Sequence, residues 1–174
     1  MSANTSASAD VSASGLGDTI QLGGIDWRVL DRQNGKALVV SNHILESRPY
    51  NTELINIKWE SCTLRAYLNG EFYEKTFDST EQSRILDTIV YNEDNYITNK
   101  IFLLSLEEVE RYLDNKVAYD KNGNASWWWL RSPVYTSCSA ANVLYDGSVY
   151  VYGFYGFFVN DVSGGVRPAL WVRL

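Results

Sequence analysis

The chain has 174 residues, 45% of them apolar, with a net charge of −6. This length suits one folded unit, and the apolar fraction is enough to fill one core. The acidic balance argues against a nucleic-acid partner, since such affinity comes mainly from Lys and Arg displacing counterions. No uninterrupted apolar run approaches the roughly 18 residues of a bilayer span, so no membrane insertion is expected.

Met1 to Gly15 is mostly Ser and Ala, without the basic and apolar regions of a secretory signal. Residues 1–16 therefore read as a disordered leader or linker, followed by one domain over 17–174. Asp18 to Leu22 and Ile25 to Asp31 read as strands around Gly23-Gly24. Asn34-Gly35 is a hairpin signal leading into Lys36 to Ser41.

From Glu60 the period changes. Leu64, Tyr67, Leu68 and Phe72 recur at helical spacing behind the capping candidate Ser61, which predicts a first helix. Ser79 with Gln82 predicts a capping box for a second helix carrying Ile85, Leu86 and Ile89. Ser105 with Glu108 predicts one for a third carrying Val109, Tyr112 and Leu113. Between these two, Ile101 to Leu104 reads as a buried strand. Asp114 to Ser126 reads as an exposed loop around Asn122-Gly123-Asn124. Trp127 to Arg131 is a strand candidate, Asp146-Gly147 a hairpin turn, and Val166 to Val172 a closing strand made irregular by Pro168.

Residues Val134 to Ser163 contain no Lys, Glu, Gln, Met or Trp, yet hold five Tyr and three Phe. Those five residue types fill 25 of the first 133 positions, so about six would be expected here at uniform usage. Within the segment, Ser148 to Tyr152 alternates. A strand there would send Val149 and Val151 to one face, Tyr150 and Tyr152 to the other. If the valines join the core, the aromatics are left at the surface, where such density marks a binding site. Coverage of both faces, as in a sandwich core, is the alternative. Tyr, Ser, Gly and Asn are also the residues of antibody-like binding loops, because Tyr gives large, rigid, amphipathic contact area.

Several stretches are similar to a bacterial domain family of unknown function also found in phages. They are Gly17-Asp18, Ile25-Asp26-Trp27-Arg28-Val29-Leu30, Trp59-Glu60-Ser61-Cys62-Thr63-Leu64-Arg65, Leu68-Asn69 and Ile101-Phe102-Leu103-Leu104-Ser105, then Trp128-Trp129-Leu130-Arg131-Ser132-Pro133 and Gly165-Val166-Arg167-Pro168-Ala169-Leu170-Trp171. Such ends also resemble the variable proteins of diversity-generating retroelements, which carry a C-type-lectin-like fold related to formylglycine-generating enzymes. The resemblance implies an α+β fold of antiparallel strands with two to three short helices and a loop-rich C-terminal binding face.

In such systems a reverse transcriptase miscopies template adenines, so Asn codons ending in a pyrimidine are randomised at their first two bases. The genetic code then forbids Lys, Glu, Gln, Met and Trp, the five types missing from residues 134–163. The resemblance implies a hypervariable ligand-binding protein with diversified positions Val134, Tyr135, Thr136, Ser137, Cys138, Ser139, Leu144 and Tyr145, then Tyr150, Tyr152, Phe154, Tyr155, Phe157, Phe158 and Val162. Ala140-Ala141-Asn142-Val143, Asp146-Gly147-Ser148-Val149 and the Arg131 and Arg167 blocks would be scaffold. The target would be a protein or cell-surface ligand, and the location a cell surface or virion.

The calcium-binding words of sugar-binding lectins, Glu-Pro-Asn and Trp-Asn-Asp, are absent, so calcium-dependent sugar recognition is not implied. The paired reactive cysteines of the formylglycine-generating enzymes are missing too, which leaves no residues for oxidase chemistry. Cys62 and Cys138 lack CxxC spacing and His43 is the lone histidine, too few ligands for an ordinary zinc site. The cysteines read as ordinary thiols, with a disulfide between them as the alternative. His43 has no nucleophile motif beside it. Glu107, Glu108 and Glu110 read as a solvated helix face, and Arg131 and Arg167 as ties within the scaffold. No cofactor, metal site or catalytic residue is expected. The competing readings are a fixed surface or structural interaction domain and a formylglycine-generating-type enzyme.

Overall fold

The amino-terminal alternation folds into an antiparallel meander of β1 (Thr19–Leu22), β2 (Ile25–Gln33) and β3 (Lys36–Ser41). The second hairpin turns on Asn34 and Gly35 at φ 48 and 76, both left-handed, the geometry that Asn-Gly favours. The register slips between Val29 and Asp31, which buries Val29 and Leu30 together and ends the alternation. These coordinates are a computed structural model and describe residues 15–92, 95–136, 138–152 and 157–174. The expected leader lies mostly outside the described residues.

After β4 (Glu46–Ser47) and a 3-10 turn at Trp59–Ser61, the first helix begins as α1 (Thr63–Tyr67). Its N-cap is Cys62, not Ser61: the Cys62 sulfur accepts from the Arg65 amide. The helix widens into a π turn at Leu68–Phe72 before closing as α2 (Tyr73–Thr76). Asn69 sits in that turn. Its amide nitrogen donates to the Ile101 carbonyl at 2.8 Å, and its oxygen accepts from the Lys100 and Ile101 amides. One side chain thereby docks the helix onto the strand that follows.

The second helix is shorter than the apolar spacing predicts. Asp78 and Glu81 form the capping box of α3 (Ser79–Arg84), which stops at Ile85 in extended conformation. Ile85 then bridges Val172, and Ile89 lies in β5 (Thr88–Asn92), paired with β6 (Asn95–Asn99). Tertiary pairing overrides a helical period that only three residues carried. The third box forms as read, with Ser105 and Glu108 capping α4 (Leu106–Tyr112) behind the buried strand β7 (Phe102–Leu103). The 114–126 stretch contains a small hairpin, β8 (Ala118–Tyr119) with β9 (Ala125–Ser126), and Ala118 is buried, so it is not wholly an exposed loop.

The C-terminal strands are β10 (Trp128–Pro133), β11 (Ala140–Val143), β12 (Val149–Tyr150), β13 (Gly165–Val166) and β14 (Pro168–Arg173). One sheet runs β1-β2-β3-β14-β7, the other β12-β11-β10-β13-β4. Among the described residues only the β10 to β13 pairing is parallel. The fold class is thus α+β, with mostly antiparallel sheets and a few short helices.

The irregularity at Pro168 is where the chain leaves one sheet for the other. Proline can open β14 because the first residue of a strand needs no ladder donor. At the crossing, Arg167 Nε donates to the Ser41 carbonyl at 2.9 Å and the guanidinium lies 5.0 Å from the centre of the Trp128 ring. Burial, with Arg28 nearby, pulls its pKa down to about 10. One hydrophobic cluster extends from Ile20 to Val172 and includes Trp27, Trp59, Trp128 and Trp129 at full burial. Each of these four indole N–H groups donates to an acceptor, as a buried Trp must: Leu22 O, Asn99 Oδ1, Lys116 O and Arg48 O.

Candidate ligand-binding face

The segment that lacks five residue types is threaded through the second sheet. Among the described residues of the segment, Ser139–Val143 are buried without a break, and Ala140–Val143 form β11. This strand is paired on both edges, with β10 on one side and β12 on the other. The positions expected to be diversified lie in the loop before β11, in the turn after it, in β12 and in the stretch that follows β12.

β11 and β12 are joined by the predicted Asp146-Gly147 turn, with Gly147 at φ 86. Asp146 Oδ1 accepts from the Ser148 amide and hydroxyl at 2.9 and 2.6 Å, and these hydrogen bonds hold its pKa below the ordinary aspartate value. The strand read over Ser148 to Tyr152 is shorter than expected, only Val149–Tyr150, opposite Val143 and Asn142. Val149 and Val151 do pack against the core.

The aromatics divide into two groups. Tyr135, Tyr145, Tyr152 and Phe158 are exposed, at 88, 66, 59 and 46%, and Val162 joins them. Tyr150 and Phe157 are half-buried instead of free at the surface. Phe157 stands edge-on to Trp127 at 4.8 Å, Tyr150 lies 5.5 Å from Phe157, and Tyr152 is edge-on to Tyr150 at 6.4 Å. The series continues inward from Trp127 to Trp129 at 4.7 Å and from Trp129 to Tyr50 at 5.7 Å. Rings at the surface therefore rest on rings of the fixed Trp block, at separations where aromatic pairs attract.

Ser139 is 7% exposed, bridges Phe158 and lines a cleft with Val134, Tyr135 and Thr136. Val134, Thr136, Cys138 and Leu144 are half-buried. Cys138 has φ 62, and its carbonyl accepts from the Val159 amide at 2.8 Å. Ser137, Phe154 and Tyr155 lie outside the described residues. Most of the described positions fall along or beside β11. Val134–Thr136, Cys138, Ser139 and Phe158 lie at its start, Tyr150 stands opposite Asn142, and Leu144 and Tyr145 occupy the turn at its far end, roughly 13 Å from the start at strand rise.

Residues 51–58 border the first group, a neighbour that nothing in the sequence pattern announced. The Asn51 amide donates to the Val159 carbonyl at 2.8 Å. Asn56, Ile57 and Lys58 share a cleft of about 340 Å³ with Val134, Tyr135 and Thr136. Leu54 and Ile55 are exposed beside it in sequence, the one composition signal that could have drawn attention there.

The remaining candidates are structural. Arg131 forms a two-pronged pair with Glu108 at 2.5 and 3.0 Å and donates to the Leu103 carbonyl at 2.7 Å. Glu108 therefore turns inward, while Glu107 and Glu110 are exposed as read. His43 is exposed. Both cysteines are free thiols. Burial raises the Cys62 pKa to about 12, so a thiol reagent at pH 8 is expected to label Cys138 rapidly in the native protein and Cys62 only after unfolding. Rapid labelling of both in a stopped-flow assay would contradict the buried cap. Among the described residues no group of three His, Cys, Asp or Glu is placed to hold a metal, and no helix is long and apolar enough to cross a membrane.

The molecule is defined at this level as an α+β domain with an aromatic-bearing edge on its C-terminal sheet. The chain belongs to a domain family of unknown function, DUF6273, whose family model matches residues 34–174. The match takes in β3 through β14 and leaves β1 and β2 outside it. No curated protein and no solved structure matches the chain.

Proposed function

We propose that this chain is a non-catalytic ligand-binding protein whose C-terminal face has been diversified by a retroelement through adenine-directed mutagenesis. Its scaffold on this reading is C-type-lectin-like, and its target is a protein or cell-surface ligand met at a cell surface or virion. The observation that carries the proposal is the absence of Lys, Glu, Gln, Met and Trp over residues 134–163, all within reach of ordinary selection but none encoded by a randomised Asn codon. Its support in the fold is that the expected constant word Ala140–Val143 is inaccessible, while Tyr135, Tyr145, Tyr152 and Phe158 face solvent. The α+β class with short helices is compatible with the lectin-like scaffold.

The coding DNA tests the mechanism. Codons at the fifteen diversified positions are expected to end in a pyrimidine, with a near-copy carrying Asn codons and a reverse transcriptase gene close by. Purine-ending codons scattered through those positions would sink it and leave a fixed interaction domain.

The protein tests the face. Tyr135→Ser, Tyr145→Ser and Tyr152→Ser are each expected to shift stability by no more than about 0.5 kcal/mol, as exposed substitutions do. Phe157→Ser, which removes two ring contacts, is expected to cost about 1 to 2 kcal/mol. Urea denaturation followed by fluorescence separates the groups. A loss at Tyr135 or Tyr145 as large as that at Phe157 would assign those rings to packing.

A further inference from the structure

A cleft of about 450 Å³ opens between β5 and the start of α4, outside the diversified positions. Every residue of β5, Thr88 through Asn92, lines it. Side chains of a strand alternate between its two faces, so a cavity met by all five runs along the strand's edge. β5 pairs with β6 on its other edge. Among the described residues no backbone hydrogen bond reaches Thr88–Asn92 from elsewhere.

Native proteins usually blunt such an edge with Lys, Pro or a bulge. β5 reads Thr-Ile-Val-Tyr-Asn and pairs with β6 without a register shift, so it has none of the three. The outer side of β6 is different, because the Thr98 carbonyl accepts from Arg65 Nη2 at 3.0 Å. The open edge is the one that faces a walled cleft. The wall opposite β5 is the start of α4 with Ser132 and Pro133.

The lining says what kind of occupant fits. Arg131 lines the cleft but is only 4% exposed. Its charge is matched by Glu108, which leaves the exposed carboxylate of Glu107 as the unmatched charge in the lining. Half-buried Trp171 supplies aromatic surface. We propose that this cleft binds an extended peptide segment of a partner protein, one with alternating apolar side chains and a Lys or Arg, as a strand added to β5. Backbone pairing supplies affinity in this mode, and the side-chain contacts and Glu107 supply selectivity. The site uses scaffold residues, so it is independent of any diversification of the C-terminal face.

The test titrates acetylated, amidated heptapeptides alternating Val or Ile with Thr, with Lys at each end, into the isotope-labelled full chain. Saturable NMR shifts are expected at the amides of Thr88–Asn92 and Leu106–Glu108. Methylating the peptide nitrogens in each of the two alternate sets should weaken binding at least about tenfold for one set, the one that faces β5. Exchanging the lysines for Glu should weaken it several-fold, and Glu107→Lys should reverse that preference. Tyr145→Ser and Tyr152→Ser should leave peptide affinity unchanged. The proposal is overturned if no peptide shifts these amides, if both methylated forms bind as well as the parent, or if the shifts fall on the Tyr135 and Tyr152 face instead.

Discussion

Glu108→Ala is expected to lower stability by about 3 to 5 kcal/mol, the usual consequence of leaving one partner of a buried ion pair without the other. The Arg131 side chain is 5% exposed and both its terminal nitrogens reach the Glu108 carboxylate. Glu108 Oε2 also accepts from the Ser105 amide and completes the capping box of α4. The change therefore strands a guanidinium, frees a helix N-terminus and loosens the junction of α4 with β7 and β10. For a chain of this size the melting temperature should fall by roughly 6 to 20 °C. Glu108→Gln should fall between wild type and Ala, because it keeps an acceptor and gives up the charge. Replacing Glu108 and Arg131 together by Met should recover much of the loss, since two apolar groups of similar volume leave nothing unpaired. A melting temperature unchanged in Glu108→Ala would mean the pair is solvated and dispensable.

Gly164→Ala is the second large effect. The backbone there needs no left-handed conformation; the obstacle is the indole of Trp129, which a Cβ would overlap, and at neighbouring Gly165 a Cβ would lie 2.5 Å from the Trp127 carbonyl. Trp129 is fully buried and held by its hydrogen bond to the Arg48 carbonyl at 2.9 Å, so it cannot give way without losing that bond. Overpacking of about 1 to 3 kcal/mol and the lost hydrogen bond of about 1 kcal/mol together predict a loss of about 2 to 4 kcal/mol. The damage should spread to the candidate face, because Trp129 backs Trp127 and Trp127 backs Phe157. Urea denaturation monitored by tryptophan fluorescence measures it. A midpoint equal to wild type would show that the Trp block can shift without cost.

The pattern of legibility follows interaction range. Asn34-Gly35, Asp146-Gly147 and the Ser105 capping box were readable because each is a contract between residues at most four apart. Helix two misled because Ile85, Leu86 and Ile89 are spaced for a helix, yet Ile85 is claimed by Val172, 87 positions away. The face was legible in composition and not in exposure. Alternation correctly set Val149 and Val151 against the core. It could not foresee that Phe157 would contact both Tyr150 and Trp127, and so it overstated how much of the aromatic surface is free. The burial of Ser139 was illegible for a similar reason: its neighbour Phe158 arrives from a later stretch of chain.

The sequence by itself determined the α+β character, the hairpin turns, the cap of α4 and the unusual composition of residues 134–163. These rest on backbone preference and residue counts, which need no knowledge of distant partners. Only the tertiary structure decided that Pro168 marks a change of sheet, that Glu108 belongs to Arg131, and that Asn56–Lys58 border Val134–Thr136. It also decided that β5 keeps an open edge along a cleft. Each of these depends on which distant segments the common core draws together, and burial of apolar surface, being non-directional, leaves no local mark of its partners in the chain.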